Sequence, residues 1–260
     1  MKKIYYLCGL PRAGNTLFGS LLNQNSKIQV TSNSLVCDML WNIETLRQQK
    51  TFRNFPDHSS LDNVSSSLIS NYYKDWDCDI VFDRSNWGSP NNLEFLKKHA
   101  PNEIKFVVLV RDIQNVVASF IRWSEENKPN FLDNETNGGD VRTKCDYLMD
   151  KDGMVVQSYT SIFHILNSNY PYYLIKYNDL VKNTKEVIDG LYDFLGIESF
   201  EHRFVDLNQF SANEICYNDN QLGQNLHTIK TEGISLSDYM IDKYLPRDLL
   251  DYYSTLNFWK

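Results

Sequence analysis

The chain has 260 residues, of which 42% are hydrophobic, and a formal net charge of −7 at pH 7. Binding to a nucleic-acid backbone needs clustered basic surface, so this acidic balance argues against nucleic acid as a partner. The apolar runs are too short to span a bilayer, which argues against a membrane partner. Length and apolar content predict a single α/β domain over residues 1–260. Five widely spaced cysteines predict free thiols, a cytoplasmic location and no structural zinc.

The first predicted element is a strand from Lys3 to Leu10, which leads through a glycine-bearing turn into a helix from Asn15 to Asn23. Backbone N–H groups at such a helix start have no partner within the helix, and the helix dipole makes this end positive. An anion placed there gains several charge-assisted hydrogen bonds, and the side chain of Arg12 adds a cation. We therefore predict an anion-binding loop formed by Pro11, Arg12, Ala13, Gly14, Asn15 and Thr16.

This loop differs from that of a nucleotide-hydrolysing P-loop, which needs Gly-x-x-x-x-Gly-Lys-Ser/Thr. Neither Gly-Lys-Ser nor Gly-Lys-Thr occurs in the chain. The run Gly-Leu-Pro-Arg-Ala-Gly-Asn-Thr-Leu at residues 9–17 instead resembles the 5′-phosphosulfate loop of sulfotransferases. Those enzymes use 3′-phosphoadenosine 5′-phosphosulfate (PAPS), and their loop is usually written Pro-Lys/Arg-Ser-Gly-Thr-Thr. The resemblance implies that Arg12 and Thr16 hold the 5′-phosphate and the charge that develops beside it.

A second strand, predicted from Asp79 to Phe82, ends just before Arg84. The segment around Arg84 resembles the Asp-Lys-Ser or Lys-Thr-His segment of the family, in which a lysine reaches the transferring group. Arg84 is thus a second predicted catalytic cation beside Arg12, although a guanidinium binds as a planar fork and does not deprotonate. A structural salt bridge between Asp83 and Arg84 remains an alternative.

The general base is where the chain departs from the family. Cytosolic members place a histidine two residues after that lysine, and tyrosyl-protein members use a glutamate after the first helix. The corresponding residues here are Asn86 and Asn33, and neither side chain takes a proton. Asp38 is our first candidate, since its predicted helix, Leu35 to Gln48, follows the phosphate loop. The other candidates are Glu44, His58 and Asp83.

A third strand, predicted from Ile104 to Val110, follows a helix that begins at Ser89-Pro90 and stops at Pro101. Arg111 ends this strand, and Ser119 follows on the next helix. The order of strand, arginine, seven residues and serine resembles the 3′-phosphate site of sulfotransferases, where the arginine binds the phosphate bidentately and the serine adds a hydrogen bond. Two phosphate sites fit a cofactor that carries two phosphates.

The next segments have weaker patterns. Glu125 to Asp140 lacks periodicity and is predicted to form a mobile loop beside the acceptor site. A long helix is predicted from about Cys145 to Asn169. Residues 206–234 are irregular and too long for an idle connection. They contain Leu226 to Gly233, which is similar to the late basic loop that closes over the 3′-phosphate in the family, so Lys230 is a predicted clamp although the cytosolic Arg-Lys-Gly triplet is absent.

A fourth strand, Tyr172 to Lys176, leads through Tyr177 into a helical region that ends near Leu195-Gly196. The Tyr-Asn-Asp-Leu run that begins at Tyr177 is similar to the Tyr-x-Asp-Leu segment of the family, where the tyrosine borders the adenine. The resemblance also implies that Trp87 or Trp123 stacks on the adenine. All four predicted strands are short and nearly continuous in apolar character, as expected for strands buried on both faces.

Alternation of strands and helices predicts a central parallel sheet flanked by helices, with ligands at the carboxyl ends of the strands. The resemblance implies a P-loop-like sulfotransferase fold. It also implies transfer of a sulfuryl group from PAPS, without a metal, to a hydroxyl or amine of a small-molecule or glycan acceptor, with 3′-phosphoadenosine 5′-phosphate (PAP) as product. Two alternatives stay open, a P-loop nucleotide kinase and a PAPS-binding protein without turnover. The oligomeric state is open.

Overall fold

The computed structural model describes residues 2–236 and 240–260. They form an α/β domain around a five-stranded sheet with the order β2-β3-β1-β4-β5, in which every neighbouring pair is parallel. This confirms the predicted fold class. The strands are β1 (Lys3–Gly9), β2 (Ile28–Asn33), β3 (Ile80–Arg84), β4 (Phe106–Val110) and β5 (Tyr172–Lys176). A separate antiparallel hairpin consists of β6 (Ser211–Ala212) and β7 (Ile215–Cys216).

The centre of the sheet is buried on both faces. All five residues of β4 are buried, as are five consecutive residues of β1. Because successive side chains of a strand point to opposite faces, such continuous burial means that helices cover both sides of the sheet. The prediction that every strand is buried on both faces is wrong for β5, in which Tyr172 and Lys176 are exposed. The reason is its position at the edge of the sheet.

The other edge strand, β2, has no counterpart among the predicted strands. It pairs with β3 from Ile28 to Val30, and the register then shifts before Asn33. In the part of β2 that is in register with β3, only Ile28 and Val30 are apolar. This alternation of apolar and polar residues is too short to distinguish a strand from a loop.

Helices connect the strands, and several begin or end where the sequence predicts. Ser89 caps α5 by accepting from the Asn92 backbone N–H, and Gly196 ends α11 in a left-handed conformation with φ 65°. The helices are α1 (Asn15–Leu22), α2 (Val36–Leu46), α3 (Lys50–Asn54), α4 (His58–Tyr72), α5 (Pro90–His99), α6 (Ile113–Glu126), α7 (Phe131–Glu135), α8 (Val141–Met149), α9 (Met154–Leu166), α10 (Tyr177–Lys182), α11 (Thr184–Leu195) and α12 (Arg247–Ser254).

The prediction of one long helix from Cys145 to Asn169 is wrong, because the segment forms two helices, α8 and α9, joined by a turn. At Gly153 the backbone turns back closely onto the end of α8. A Cβ atom there would lie 2.6 Å from the carbonyl oxygen of Leu148 and 2.7 Å from that of Tyr147. Only glycine permits so close an approach of the backbone, so Gly153 determines where the helical segment is interrupted.

The loop predicted from Glu125 to Asp140 is also wrong in part, since α6 runs to Glu126 and α7 lies within the segment. Asn130 caps α7 by accepting from the Asp133 backbone N–H at 3.1 Å. The ammonium group of Lys144, on α8, lies 2.5 Å from the carboxylate of Asp133. These contacts order the segment. Its helix α7 is too short to give a detectable periodicity in the sequence.

The strand order places a crevice between β1 and β4. The connection that leaves β1 runs toward β2 on one side, and the connection that leaves β4 runs toward β5 on the other. Ligands of open α/β sheets bind where neighbouring strands part in this way, outside their carboxyl ends. Here those ends are Gly9 and Val110, which are followed by the anion-binding loop and by Arg111. Within the described ranges, the structure contains no helix with the length and apolarity needed to cross a membrane.

Candidate active site

A cleft of about 1050 Å³ opens at the carboxyl ends of β1, β3 and β4. Among the residues that the structure describes, its charged lining consists of six basic side chains and one acidic side chain. This strongly basic lining belongs to a chain with a net charge of −7, so positive potential is concentrated in the cleft and favours an anionic ligand. The charged residues are Arg12, Arg84, Arg111, Arg122, Lys151, Lys230 and Asp38.

The loop after β1 turns sharply into α1. Arg12 and Gly14 adopt positive φ angles of 61° and 86°. Within residues 2–236 and 240–260, the structure records no partner for the backbone N–H groups of Gly14, Asn15 and Thr16. These three residues and Pro11 line the cleft. The N–H groups at the start of α1 therefore remain available to an anion.

Ala13 is the one predicted loop residue that does not line the cleft. Its side chain is fully buried, and its N–H donates to the Leu10 carbonyl at 3.2 Å. Ala13 therefore shapes the turn from within the core. Its backbone N–H is engaged in that turn.

Asn15 fastens the loop to the end of β1. Its Nδ2 donates to the Leu10 carbonyl at 2.7 Å, while Oδ1 lies so close to Gly9 that a Cβ atom there would be 1.9 Å away. A side chain at residue 9 is therefore incompatible with this loop.

Arg111 and Tyr177 meet beside the loop. The Arg111 Nη1 donates to the Arg12 carbonyl at 2.9 Å, and the guanidinium carbon lies 4.3 Å from the centroid of the Tyr177 ring. The same ring packs against Gly14, where a Cβ atom would be 2.9 Å from Tyr177 Cδ2. Residues predicted from three separate motifs thus form one continuous wall of the cleft.

Arg12 connects three parts of the chain. Its Nε donates to the Ser119 hydroxyl on α6 at 3.2 Å, and its Nη1 donates to the carbonyl of Leu226. Ser119 is only 3% exposed but lines the cleft. Arg12 therefore ties the anion-binding loop both to the second predicted phosphate site and to the late segment of the chain.

Asp83 and Arg84, neighbours at the end of β3, have different environments. Asp83 is fully buried and accepts hydrogen bonds from the hydroxyls of Ser34 (2.7 Å) and Tyr73 (2.6 Å) and from Trp87 Nε1 (3.0 Å). Burial raises the pKa of this carboxyl group, an effect that the three hydrogen bonds oppose. Arg84 lines the cleft, and its Nη1 donates to the Tyr217 hydroxyl at 3.4 Å. Asp83 is therefore a buried structural carboxylate rather than a candidate base.

The family is identified by a comparison along the sequence. A family model described as "Sulfotransferase family" matches residues 6–202. The chain belongs to the sulfotransferase family. The matched region contains the loop after β1, Arg84, Arg111, Ser119 and Tyr177. No curated protein sequence matches the chain.

Solved structures with a similar chain path include several sulfotransferases. The sulfotransferase domain from the curacin biosynthetic pathway is 19% identical, with 77% of this chain and 76% of that chain covered and a TM-score of 0.48. Mouse sulfotransferase SULT7A1, complexed with PAP, is 11% identical, with coverage of 77% and 59% and a TM-score of 0.47. Sulfotransferase STF9 from Mycobacterium avium is 12% identical, with coverage of 98% and 75% and a TM-score of 0.47.

The indole rings of Trp87 and Trp123 in this sulfotransferase-family chain do not line the cleft. Trp87 is fully buried, and its Nε1 donates to Asp83. Trp123 is 3% exposed, and its Nε1 donates to the Gln224 carbonyl at 2.8 Å. The prediction that one of them stacks on adenine is wrong, because each indole packs in the core with its N–H satisfied there.

The remaining candidate bases fall in two places. Asp38 lines the cleft from the first turn of α2, with an exposed side chain. Glu44 and His58 instead meet at Arg47, which lies 2.8 Å from the Glu44 carboxylate and 3.0 Å from His58 Nδ1. Neither of these two residues lines the cleft. Asp38 is thus the only one of the four sequence-based candidates with access to it.

Four further residues at the site were not predicted from the sequence. Arg122 lies one helical turn after Ser119 on α6, so its place on the same face could have been read from the spacing. Tyr217, Asp219 and His227 lie in the irregular segment, where no periodicity indicates which residues approach each other. His227 Nδ1 lies 2.6 Å from Asp219 Oδ1, and its ring stacks on Tyr217 with centroids 3.7 Å apart.

Lys230, the predicted clamp, is exposed and lines the cleft. The residue before it, Ile229, is held by Gln209, whose side chain accepts from the Ile229 N–H at 3.0 Å and donates to its carbonyl at 2.9 Å. Residues 226–230 all line the cleft, and Ile229 is held there by these two hydrogen bonds. Among residues 2–236 and 240–260, no group of three or more His, Cys, Asp or Glu side chains is arranged to hold a metal ion.

Proposed function

We propose that this family member transfers the sulfuryl group of PAPS to a hydroxyl or amine of a small-molecule or glycan acceptor and releases PAP. The observation that carries the proposal is the convergence of two anion-binding features in one basic cleft. One is the loop at the start of α1, and the other is Arg111 with Ser119. A donor with phosphate groups at its 5′ and 3′ positions matches this pair of features.

The residues present fit such a donor. The unpartnered N–H groups of residues 14–16 would hold the 5′-phosphate, and Arg111 with Ser119 would hold the 3′-phosphate. Tyr177 would border the adenine, and Lys230 would close over the 3′-phosphate from the rim. When bound, PAPS supplies an activated sulfuryl group for in-line displacement.

The protein contributes positioning and positive charge. Sulfuryl transfer resembles phosphoryl transfer in that catalysis consists mostly of alignment and stabilisation of developing charge. Arg12 and Arg84 both line the cleft and are held in place through Leu226 and Tyr217 respectively. Guanidinium groups fixed in advance stabilise charge on a leaving oxygen without reorganisation during the reaction.

The rest of the cleft supports the proposed class of acceptor. Its walls near α2, α5 and α9 carry several uncharged polar side chains that can donate or accept hydrogen bonds, together with Asp38, Lys151 and Met154. Such a lining suits a molecule with several hydroxyl groups better than an apolar ring system. This supports a small polyol or glycan as the acceptor. The uncharged polar side chains include Asn33, Asn86, Ser89, Asn92, Gln157 and Ser158.

The donor is tested by ligand-induced thermal stabilisation. PAP at about 100 times its dissociation constant should stabilise the fold by about 2.7 kcal/mol, without added metal. The Arg111→Ala variant should lose this stabilisation. Arg53→Ala, which removes an exposed guanidinium outside the cleft, is the matched control and should keep it. Equal or greater stabilisation by ATP with Mg²⁺ would contradict the proposal and favour a nucleotide kinase.

Turnover separates an enzyme from a binding protein. We expect radiolabelled sulfate from PAPS to appear in a sugar or polyol acceptor and expect PAP to be formed in equal amount. Binding of PAP by the wild-type protein without transfer to any monosaccharide, disaccharide or phenol would instead support a PAPS-binding protein without turnover.

A further inference from the structure

His227 is held at the cleft by three neighbours. Its Nδ1 lies 2.6 Å from Asp219 Oδ1, and its backbone N–H donates to Asp219 Oδ2 at 2.8 Å. Its ring is parallel to that of Tyr217, with an interplanar angle of 4°. The preceding carbonyl, that of Leu226, accepts from Arg12. Both the ring and the backbone of His227 are therefore fixed relative to the anion-binding loop.

These contacts determine which ring nitrogen is free to react. An ionised carboxylate only accepts hydrogen bonds, so Nδ1 of His227 carries the hydrogen that Asp219 accepts. In the neutral ring the lone pair is then on Nε2. Within the described parts of the chain, the structure records no hydrogen-bond partner for Nε2, and the imidazole lines the cleft with 21% of its side chain exposed.

Burial lowers the pKa of the His227 ring and so favours its neutral form. Burial is the largest effect and lowers its pKa, and the positive charges of Arg84 and Arg12 lower it further. Asp219 opposes them through its hydrogen bond and its charge. Since the ordinary histidine pKa is about 6.5, the ring is predominantly neutral at pH 7 and can accept a proton.

Other cleft groups are less suited to this task. Burial raises the pKa of the Cys37 thiol well above its ordinary value and also raises that of the Tyr217 hydroxyl. Both groups therefore keep their protons at neutral pH. Asp38 is ionisable and lines the cleft, but the structure records no hydrogen bond that orients its exposed carboxylate within residues 2–236 and 240–260.

We propose that His227, oriented by Asp219, is the general base of the reaction, an assignment that rests on the proposed sulfuryl transfer. Nε2 takes the proton of the acceptor hydroxyl as the acceptor oxygen bonds to sulfur. The electron pair of the broken sulfur–oxygen bond leaves with the 5′-phosphate of PAP. Nε2 then returns the proton to solvent, so the ring is neutral again before the next turnover.

The first test compares His227→Asn with His58→Asn, which replaces an exposed histidine outside the cleft. Sulfate transfer from radiolabelled PAPS is measured with the sugar or polyol that the wild-type protein uses best. Loss of a general base should lower the transfer rate of His227→Asn by about 10² to 10⁴-fold. PAP binding by the same variant should equal that of the wild-type protein.

The second test does not depend on turnover. NMR titration of the imidazole of His227 should give a pKa below the ordinary histidine value in the wild-type protein. In Asp219→Asn the pKa should fall further, because the carboxylate that favours protonation is gone. The transfer rate of the wild-type protein should rise with pH through the same ionisation, and His227→Asn should lack this limb of the profile.

The possible failures can be distinguished. A wild-type protein that does not bind PAP overturns the proposed function and the role of His227 with it. Normal PAP binding together with a wild-type transfer rate in His227→Asn overturns only the assignment of the base. A pH profile that loses its ionisation in Asp38→Asn and keeps it in His227→Asn assigns the base to Asp38 and overturns the assignment to His227.

Discussion

Arg111 stacks on Tyr177 while it donates a hydrogen bond to the carbonyl of Arg12. The guanidinium carbon is 4.3 Å from the ring centroid, and the hydrogen bond is 2.9 Å long. The cation is thus oriented by a ring on one side and by the loop backbone on the other. Such pre-organisation lowers the entropic cost of binding an anion.

Arg111→Lys should therefore weaken PAP binding although it keeps the positive charge. Lysine lacks the planar fork that binds phosphate bidentately, and it loses most of the stacking on Tyr177. We expect the dissociation constant of PAP to rise by at least about tenfold, or about 1.4 kcal/mol, in isothermal titration calorimetry. Arg53→Lys is the matched control, and an unchanged constant in Arg111→Lys would contradict this role of the guanidinium.

Gly14→Ala tests the packing of the loop against Tyr177. The positive φ of 86° strains any other residue, and the new Cβ would lie 2.9 Å from the Tyr177 ring. Gly196→Ala is matched in backbone strain, since its φ is 65° and its new methyl group would meet nothing within 4 Å. Backbone strain should cost both variants about 1 to 2 kcal/mol of stability in urea unfolding. Gly14→Ala should lose more than Gly196→Ala, because its new Cβ also clashes with the Tyr177 ring. Only Gly14→Ala should also weaken PAP binding, and equal PAP binding in both variants would contradict the contact.

Asp83→Ala should destabilise the fold strongly. It removes the acceptor of three buried donors, the groups on Ser34, Tyr73 and Trp87. At about 1 kcal/mol for each unsatisfied group, we expect the free energy of unfolding to fall by about 3 kcal/mol. Asp75→Ala, which removes an exposed carboxylate, is the control and should have almost no effect. Equal stabilities of the two variants in urea unfolding would refute a structural role.

His202 should make stability depend on pH. Burial lowers its pKa in the folded state, opposed by a backbone hydrogen bond at Leu21 and by the charge of Asp189. The unfolded chain, with a histidine pKa of about 6.5, therefore binds more protons as the pH falls through this range. The contribution of His202 to the free energy of unfolding should be fully present above about pH 6.5 and should decline as the pH falls below that value.

The measurement is urea unfolding of the wild-type protein and His202→Asn at about pH 7.5 and about pH 5.5. The buried ring of His202 interacts with the Tyr192 hydroxyl at 3.0 Å, so the variant is less stable at both pH values. Its loss of stability on acidification should nevertheless be smaller than in the wild-type protein. The same loss in both proteins would mean that His202 titrates alike in the folded and unfolded states.

Local patterns in the sequence were sufficient to predict that the loop after β1, Arg111 and Ser119 lie together, and the structure places them in one cleft. The loop at residues 9–16 and the arginine–serine pair on β4 and α6 each lie within one strand–turn–helix unit, where spacing determines geometry. The parallel sheet was predictable for the same reason. Ala13 differs from the expected arrangement, because a turn needs one N–H for its own hydrogen bond. Trp87 and Trp123 differ as well, because both indoles are buried in the core.

Other parts of the structure depend on contacts that sequence spacing does not encode. Asp219 and His227 approach each other within an irregular segment, and Tyr217 meets Arg84 across more than a hundred residues. The break at Gly153 depends on how closely two carbonyl oxygens approach it. In each case tertiary packing, rather than periodicity, determines the position.

The hydrogen bond from Arg12 to Leu226 joins residues on the two sides of a boundary in the chain. Arg12 lies inside the region matched by the family model, which ends at residue 202, and Leu226 lies beyond it. On our proposals, the loop after β1 and the Arg111–Ser119 pair lie in the matched region, whereas the segment that follows supplies the general base His227 and the clamp Lys230. Exchange of that later segment would then change how such a protein removes the acceptor proton, while the loop after β1 and the Arg111–Ser119 pair are inherited unchanged.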